Sequence, residues 1–324
     1  MSKKMLILMM ALLSMGGIYV QHSFGIEYPT KTIEIFVGYT PGSTSDLTGR
    51  MIADVAPKYL GQPLVVVNKP GAGGSVAAAE VIKSKPDGYK LMITTNSFFA
   101  LTTKTQKLTF DPKVLEPLAS YVEIKSGIMV KGDSPWKTFN ELLDYGRKTG
   151  QLRYGHAGRG MHNHIYGSLI FKKAGVEIID VPYPGALDKL TALLGGHIDA
   201  AGEPYGTVRE HLKAGKVRFL LFVNDQRYSL LPDVPCTTEL GFSEASQLKT
   251  LWGAYIHKDT PQEIKKTLVD ALQKTIEDPE FKKRIGNLGE EAKYVGPEAS
   301  KETIAKAEEL SVPKLKELGL YVGK

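Results

Sequence analysis

The chain has 324 residues, with 41 Lys and Arg against 35 Asp and Glu and a net charge of +6. That length allows two domains at ~100–200 residues each, and 42% hydrophobic with 23% charged content is ordinary for a globular protein. The basic excess is spread along the chain without a Lys/Arg block or an aromatic-interleaved basic stripe, which argues against a nucleic-acid partner and modestly favours anionic ligands.

Residues 1–25 have the pattern of a secretory signal peptide. Lys3 and Lys4 open it, residues 5–20 form an apolar core, and Ser23-Phe24-Gly25 supplies small residues for cleavage. The apolar run is marginal in length for a spanning helix. An exported chain whose one cysteine is Cys236 has no internal disulfide, and no cysteine ends the signal to carry a lipid. We expect a soluble periplasmic protein.

Strand-like and helical stretches then alternate. Residues 32–39 (TIEIFVGY) are β-branched and aromatic, and 46–60 carry apolar side chains at helical spacing through Leu47, Met51, Ile52, Val55 and Tyr59. Residues 63–68 (PLVVVN) form a continuous apolar run of the kind buried parallel strands show. A helix over 74–83, a Pro86-Asp87-Gly88 turn and a strand over 90–95 follow. A second series begins near Gly127, with strands at 128–130, 152–155, 178–182, 197–201 and 217–223. Helices at 139–148, 164–173, 186–194 and 207–214 stand between them, and the tail from Pro261 is helical. Such alternation predicts an α/β fold with mainly parallel sheets flanked by helices. Two series in one exported chain predict two lobes with a ligand cleft between them. We expect lobe 1 over 26–125 plus 250–324 and lobe 2 over 126–249, with crossings at 121–131 and 248–258.

Two glycine-rich loops stand out. Residues 38–50 (GYTPGSTSDLTGR) and 154–165 (YGHAGRGMHNHI) each join a strand to a helical segment. A tight turn feeding a helix start presents free backbone N–H groups, the arrangement that holds anions. In open α/β sheets ligands sit beyond the carboxyl ends of strands, where both loops fall. Asp46 either caps its helix or fixes the loop. Arg159, between Gly158 and Gly160, is either solvent-exposed or aimed at an anion. His156, His162 and His164 lack an obvious third or fourth metal ligand nearby and suit a loop-ordering role better than a metal site. Gly71-Ala72-Gly73-Gly74 has neither Gly-x-Gly-x-x-Gly nor Gly-Lys-Ser/Thr and reads as a structural turn. Ser134, in Gly132-Asp133-Ser134, has no Asp-x-x-His partner and no Gly-x-Ser-x-Gly elbow, so a hydrolase is the weaker rival. We assign no catalytic residue, no metal and no cofactor.

Taken in order, these landmarks resemble those of the Bug family, the periplasmic solute-binding receptors of tripartite tricarboxylate transporters. The resemblance runs from Tyr28-Pro29 and Thr40-Pro41-Gly42-Ser43-Thr44-Ser45-Asp46 with Arg50 to Asn68-Lys69-Pro70-Gly71-Ala72-Gly73-Gly74 and Pro86-Asp87-Gly88-Tyr89. It continues through Tyr154-Gly155, His164, Val181-Pro182-Tyr183-Pro184-Gly185 and Gly195-Gly196-His197-Ile198-Asp199 to Leu231-Pro232-Asp233-Val234-Pro235 and Trp252-Gly253, covering nearly all of the mature chain. It implies capture of a small organic carboxylate by cleft closure and delivery to a membrane permease of one large and one small subunit. The receptor is then a monomer with no chemical step; a sensor for the same ligand class is the alternative. Carried onto this chain, the ligand grip falls to Ser43, Thr44 and Asp46 and to His156, Ala157, Arg159, Gly160, Met161, His162 and His164, with Asp199 beside them. Tyr39, Asn96 and Phe98 stand at strand ends near the cleft. The chain departs from the family pattern where Ser43 replaces a glycine, and where His156, Ala157, Met161 and His162 replace small hydroxyl residues. These departures admit a di-acid or an aromatic acid as ligand.

Overall fold

The computed structural model describes residues 27–322, so the signal-peptide expectation for 1–25 lies outside the described residues. Strand β1 (Ile33–Val37) leads through the first glycine loop into helix α1 (Thr44–Val55), then β2 (Leu64–Asn68), α2 (Ser75–Ile82) and β3 (Lys90–Thr95). After a π-helical turn at Phe98–Thr102 come β4 (Leu115–Glu123) and β5 (Ser126–Lys131). Next are α3 (Phe139–Thr149), β6 (Leu152–His156), α4 (His162–Lys173), β7 (Ile178–Pro182), α5 (Ala186–Leu194), β8 (Ala200–Pro204), α6 (Tyr205–Lys213) and β9 (Val217–Phe222). The chain ends with β10 (Leu251–His257), α7 (Gln262–Glu277), α8 (Pro279–Asn287), β11 (Ala292–Val295) and α9 (Pro297–Glu317). Among the described residues no helix is long and apolar enough to cross a membrane.

The strands form two sheets. One has the order β11-β4-β10-β3-β1-β2, the other β7-β6-β8-β5-β9. Both are mixed, where the alternation predicted mainly parallel sheets. β1 runs parallel to β2 and β3, and β6 parallel to β7 and β8. The strands nearest the two crossings enter the other way: β10 is antiparallel to β3 and β4, and β5 is antiparallel to β8 and β9. The whole second sheet is one stretch of chain, leaving the first sheet after β4 and returning at β10.

Strand periodicity places alternate residues on opposite faces. Ile33, Ile35 and Val37 of β1 pack under α1, α7 and α8 with Ile52, Val55, Leu268 and Phe281, while Phe36 faces α2 with Ala77, Val81 and Met92. The second sheet buries Ile128, Tyr154 and Phe171 on one face and Met129, Leu190 and Phe219 on the other. A further cluster joins the two halves. Ile165 and Leu169 of α4 pack with Ala100, Leu101, Leu248 and Ala307 and Leu315 of α9.

Boundaries moved where local chemistry overrode the pattern. The helix expected over 46–60 stops at Val55, and Pro57, without an N–H, opens a separate short turn (Pro57–Leu60). The strand expected at 197–201 is instead Ala200–Pro204. Strand β4 starts before the crossing expected at 121–131, β10 lies within the one expected at 248–258, and β11 lies in the tail expected to be helical.

Candidate functional site

The first glycine loop is held from inside. Ser43 caps α1, its Oγ accepting from the Asp46 N–H at 3.4 Å. The buried Asp46 carboxylate accepts from the Gly42 N–H (2.9 Å), Arg50 Nε (3.1 Å) and Asn68 Nδ2 (2.9 Å). Burial pushes the Asp46 pKa up, but the hydrogen bonds from Arg50, Gly42 and Asn68 outweigh it and hold the pKa below the usual carboxylate value. Asp46 therefore shapes the loop, and it frees Ser43, Thr44 and Ser45 to face inward.

The second loop is ordered by its histidines around a residue that the sequence did not single out, Asp180 of β7. The Gly158 N–H donates to His156 Nδ1 and the Gly160 N–H to His164 Nδ1, each at 3.0 Å. With both Nδ1 atoms accepting, each neutral ring carries its proton on Nε2. His156 Nε2 contacts Asp180 Oδ1, His164 Nε2 lies 3.5 Å from that same oxygen, and Arg159 Nε reaches Asp180 Oδ2 at 2.9 Å. His156, His164 and Asp180 offer atoms close enough together for a metal. A metal-bound imidazole, however, donates its second nitrogen's proton to the protein, and here both second nitrogens accept. The geometry is that of a carboxylate collecting N–H donors. Arg159 spends its charge on Asp180. Burial pushes the His164 pKa down to about 4 and does the same to His162, whose Nε2 donates to the Leu248 carbonyl at 2.9 Å.

Between the sheets lies a cavity of about 100 Å³. It is lined from the first sheet's side by Tyr39, Ser43, Thr44, Phe98 and Trp252, and from the second's by Ala157, Met161, His162, Lys189, Glu203 and Thr207. It is small beside the ~300–1,000 Å³ of pockets for drug-sized ligands. Side chains meet across it: Thr44 Oγ1 and Thr207 Oγ1 are 2.7 Å apart, and Thr102 Oγ1 is 3.4 Å from Met161 Sδ. Gly160 has φ +77°, and a Cβ there would stand 1.8 Å from Thr105 Oγ1, so the loop approaches the first half closely only as glycine.

Four helices begin at this cavity. Ser43, Thr44 and Ser45 start α1, Met161, His162 and Asn163 start α4, Gly185 and Ala186 start α5, and Pro204 with Thr207 marks the start of α6. The caps of α4, α5 and α6 receive no side-chain hydrogen bond. Each helix start carries partial positive charge on its free N–H groups. The buried cation of the lining, Lys189, is neutralised by Glu203 and donates to the Gly202 carbonyl at 2.8 Å. The positive potential of the site therefore comes from backbone.

Of the residues expected at the site, Tyr39, Ser43, Thr44, Phe98, Ala157, Met161 and His162 line the cavity. The others stand behind it. Asp46, His156, Arg159, Gly160 and His164 hold the two loops, as described. Asn96 bridges to the returning chain, donating to Lys249 O (3.0 Å) and accepting from Leu251 N (2.8 Å). Asp199 precedes β8, at the strand end away from the cleft, where Arg153 Nε and Nη2 grip it at 3.0 and 2.6 Å. Ser134 sits in a turn held by Arg218 (2.7 Å to its carbonyl) and does not line the cavity. Lys189, Glu203, Thr207 and Trp252 were missed. A signal existed for two of them: a lone lysine within the apolar run ALDKLTALL, and a glutamate within a buried strand.

Residues 48–320 match the family model of the tripartite tricarboxylate transporter family receptor. The chain belongs to that family. It is a periplasmic solute-binding receptor of the two-lobed fold. The UPF0065 protein of the gbd 5′ region of Cupriavidus necator is 30% identical over 296 residues, 91% of this chain and 89% of that one. Among solved structures, the periplasmic binding protein BugD superposes with a TM-score of 0.83 at 27% identity, covering 91% of this receptor and 99% of that chain. MatC of Rhodopseudomonas palustris, solved with bound malate, superposes at 0.77 with 25% identity, covering 87% and 99%.

Proposed function

We propose that the receptor captures a small organic carboxylate in the cavity between its sheets, closes around it, and delivers it as a monomer to a membrane permease with one large and one small subunit. The observation that carries this is the convergence of four helix starts on one cavity whose described lining holds no uncompensated cationic side chain. Such a site favours an anion whose oxygens accept from backbone N–H groups and hydroxyls. The malate bound to the related MatC supports a carboxylate. On this reading Tyr39, Ser43, Thr44, Phe98, Ala157, Met161 and His162 touch the ligand. Asp46, His156, Arg159 and His164 position the loops that do. Closure needs contacts that exist only in the closed state, since a ligand shifts an equilibrium only by its differential affinity. On this reading the Thr44–Thr207 and Thr102–Met161 contacts, which cross the cavity, form on closure.

The test is a thermal-shift screen of the mature protein against aliphatic mono-, di- and tricarboxylates, aromatic acids and the matching amides. An acid at a thousand times its Kd stabilises by ~4 kcal/mol. We expect a shift with one acid class and none with its amide. No shift with any acid, and no acid released from the denatured protein in mass spectrometry, would overturn the proposal.

A further inference from the structure

Trp252 opens the question of what reads the ligand from the first sheet. It lies in β10, in register with Thr95 of β3 and Val122 of β4, and it lines the cavity at 5% exposure. Its ring meets Tyr39 edge-on, with centroids 6.0 Å apart and planes at 88°. The Nε1–H is buried and has no hydrogen-bond partner among the described residues. A buried indole N–H usually finds a partner, and leaving one unpaired is unfavourable. Among the described residues lining the cavity, the other buried side-chain atom without a hydrogen bond is Glu203 Oε2, and that oxygen already faces the Lys189 ammonium. Trp252 Nε1 is thus a fully enclosed donor of the lining that has no partner among the described residues.

An indole N–H only donates, so its partner is an acceptor. The helix starts around the same cavity favour an acceptor that carries negative charge. We infer that Trp252 is a specificity-determining contact, its indole N–H donating to an oxygen of the captured solute from the wall opposite Lys189 and Glu203. This rests on the carboxylate-receptor reading above and adds a requirement: the solute must place an acceptor oxygen at the edge of the Tyr39–Trp252 pair. An ammonium or apolar group at that point leaves the donor stranded and is selected against.

The chain has two tryptophans, and Trp136 packs against Tyr145 away from the cavity. The ¹⁵N-labelled wild-type protein therefore gives two indole N–H signals, which Trp136→Phe assigns. Each acid that raises the melting temperature in the screen is titrated in. We expect the Trp252 signal to move downfield and the Trp136 signal to stay. Trp252→Phe keeps an aromatic ring and deletes the donor; calorimetry should show binding about ten- to a hundredfold weaker, the range for a hydrogen bond to a charged group. An acid that binds the wild type while leaving the Trp252 signal unmoved, and binds Trp252→Phe equally well, would overturn the inference and leave the receptor reading standing. The signal is read on the unmutated protein, so a poorly folding variant does not blur the result. If no acid binds and none is released from the denatured protein, the receptor reading falls and the Trp252 contact falls with it.

Discussion

Glu290 and the two cleft-side histidines pull the stability of the protein in opposite directions as pH changes. Glu290 is 6% exposed; its Oε1 accepts from the Lys125 N–H at 3.3 Å, where the chain crosses between sheets, and burial pushes its pKa up to about 8. The native state then holds a proton that the unfolded chain releases above its ordinary value of about 4.5. The resulting stability is complete below pH ~4.5 and is lost as pH rises through about 8. His162 and His164, lowered to about 4, do the reverse: the unfolded chain takes up protons first, so stability falls as pH drops from ~6.5 toward 4. Glu290→Gln should raise the melting temperature relative to wild type at pH 9 and leave it nearly unchanged at pH 4. An equal effect at both pH values would mean that Glu290 is not protonated in the native state. Residues of this kind were the least legible in the sequence. The loops of Ser43 and His156 announced themselves by glycine content, but Asp180 and Glu290 act on partners 24 and 165 positions away, a relation that no local spacing records.

At the scale of elements, helix starts supply the charge of the cavity and glycines set how near the loops come. Gly160→Ala places a Cβ against Thr105 in a backbone conformation that alanine rarely adopts. The second loop would then stand off from the first half. We expect weaker ligand binding, by about tenfold or more, with a smaller loss of melting temperature in the unliganded protein. Unchanged affinity in calorimetry would show that the approach of Gly160 to Thr105 plays no part in binding. The βα units around both loops were readable because each pairs an apolar run with a helical period. β4 was not, because Pro117 and two glutamates interrupt it (LEPLASYVE), and Pro is a mark against a central strand. The structure accommodates Pro117 opposite Tyr255 beside a register shift, where the ladder is already irregular. β10 falls within an expected crossing because its flanking turns carry no strand signal, and its neighbours β3 and β4 come from distant sequence.

For the molecule as a whole, topology decides more than composition. Both described ends of the chain belong to the six-stranded sheet's half, and the five-stranded half is an uninterrupted insertion between β4 and β10. Three of the four helix starts at the cavity, those of α4, α5 and α6, lie within that insertion, together with Lys189 and Glu203. The first half contributes α1, Tyr39 and Trp252. Two recombination junctions, one on each side of the inserted half, are therefore enough to exchange most of the cavity's backbone donors between related genes in a single event. The parental tryptophan wall would remain in place, with the Ile165–Leu101–Ala307 contact as the seam that a new combination has to match.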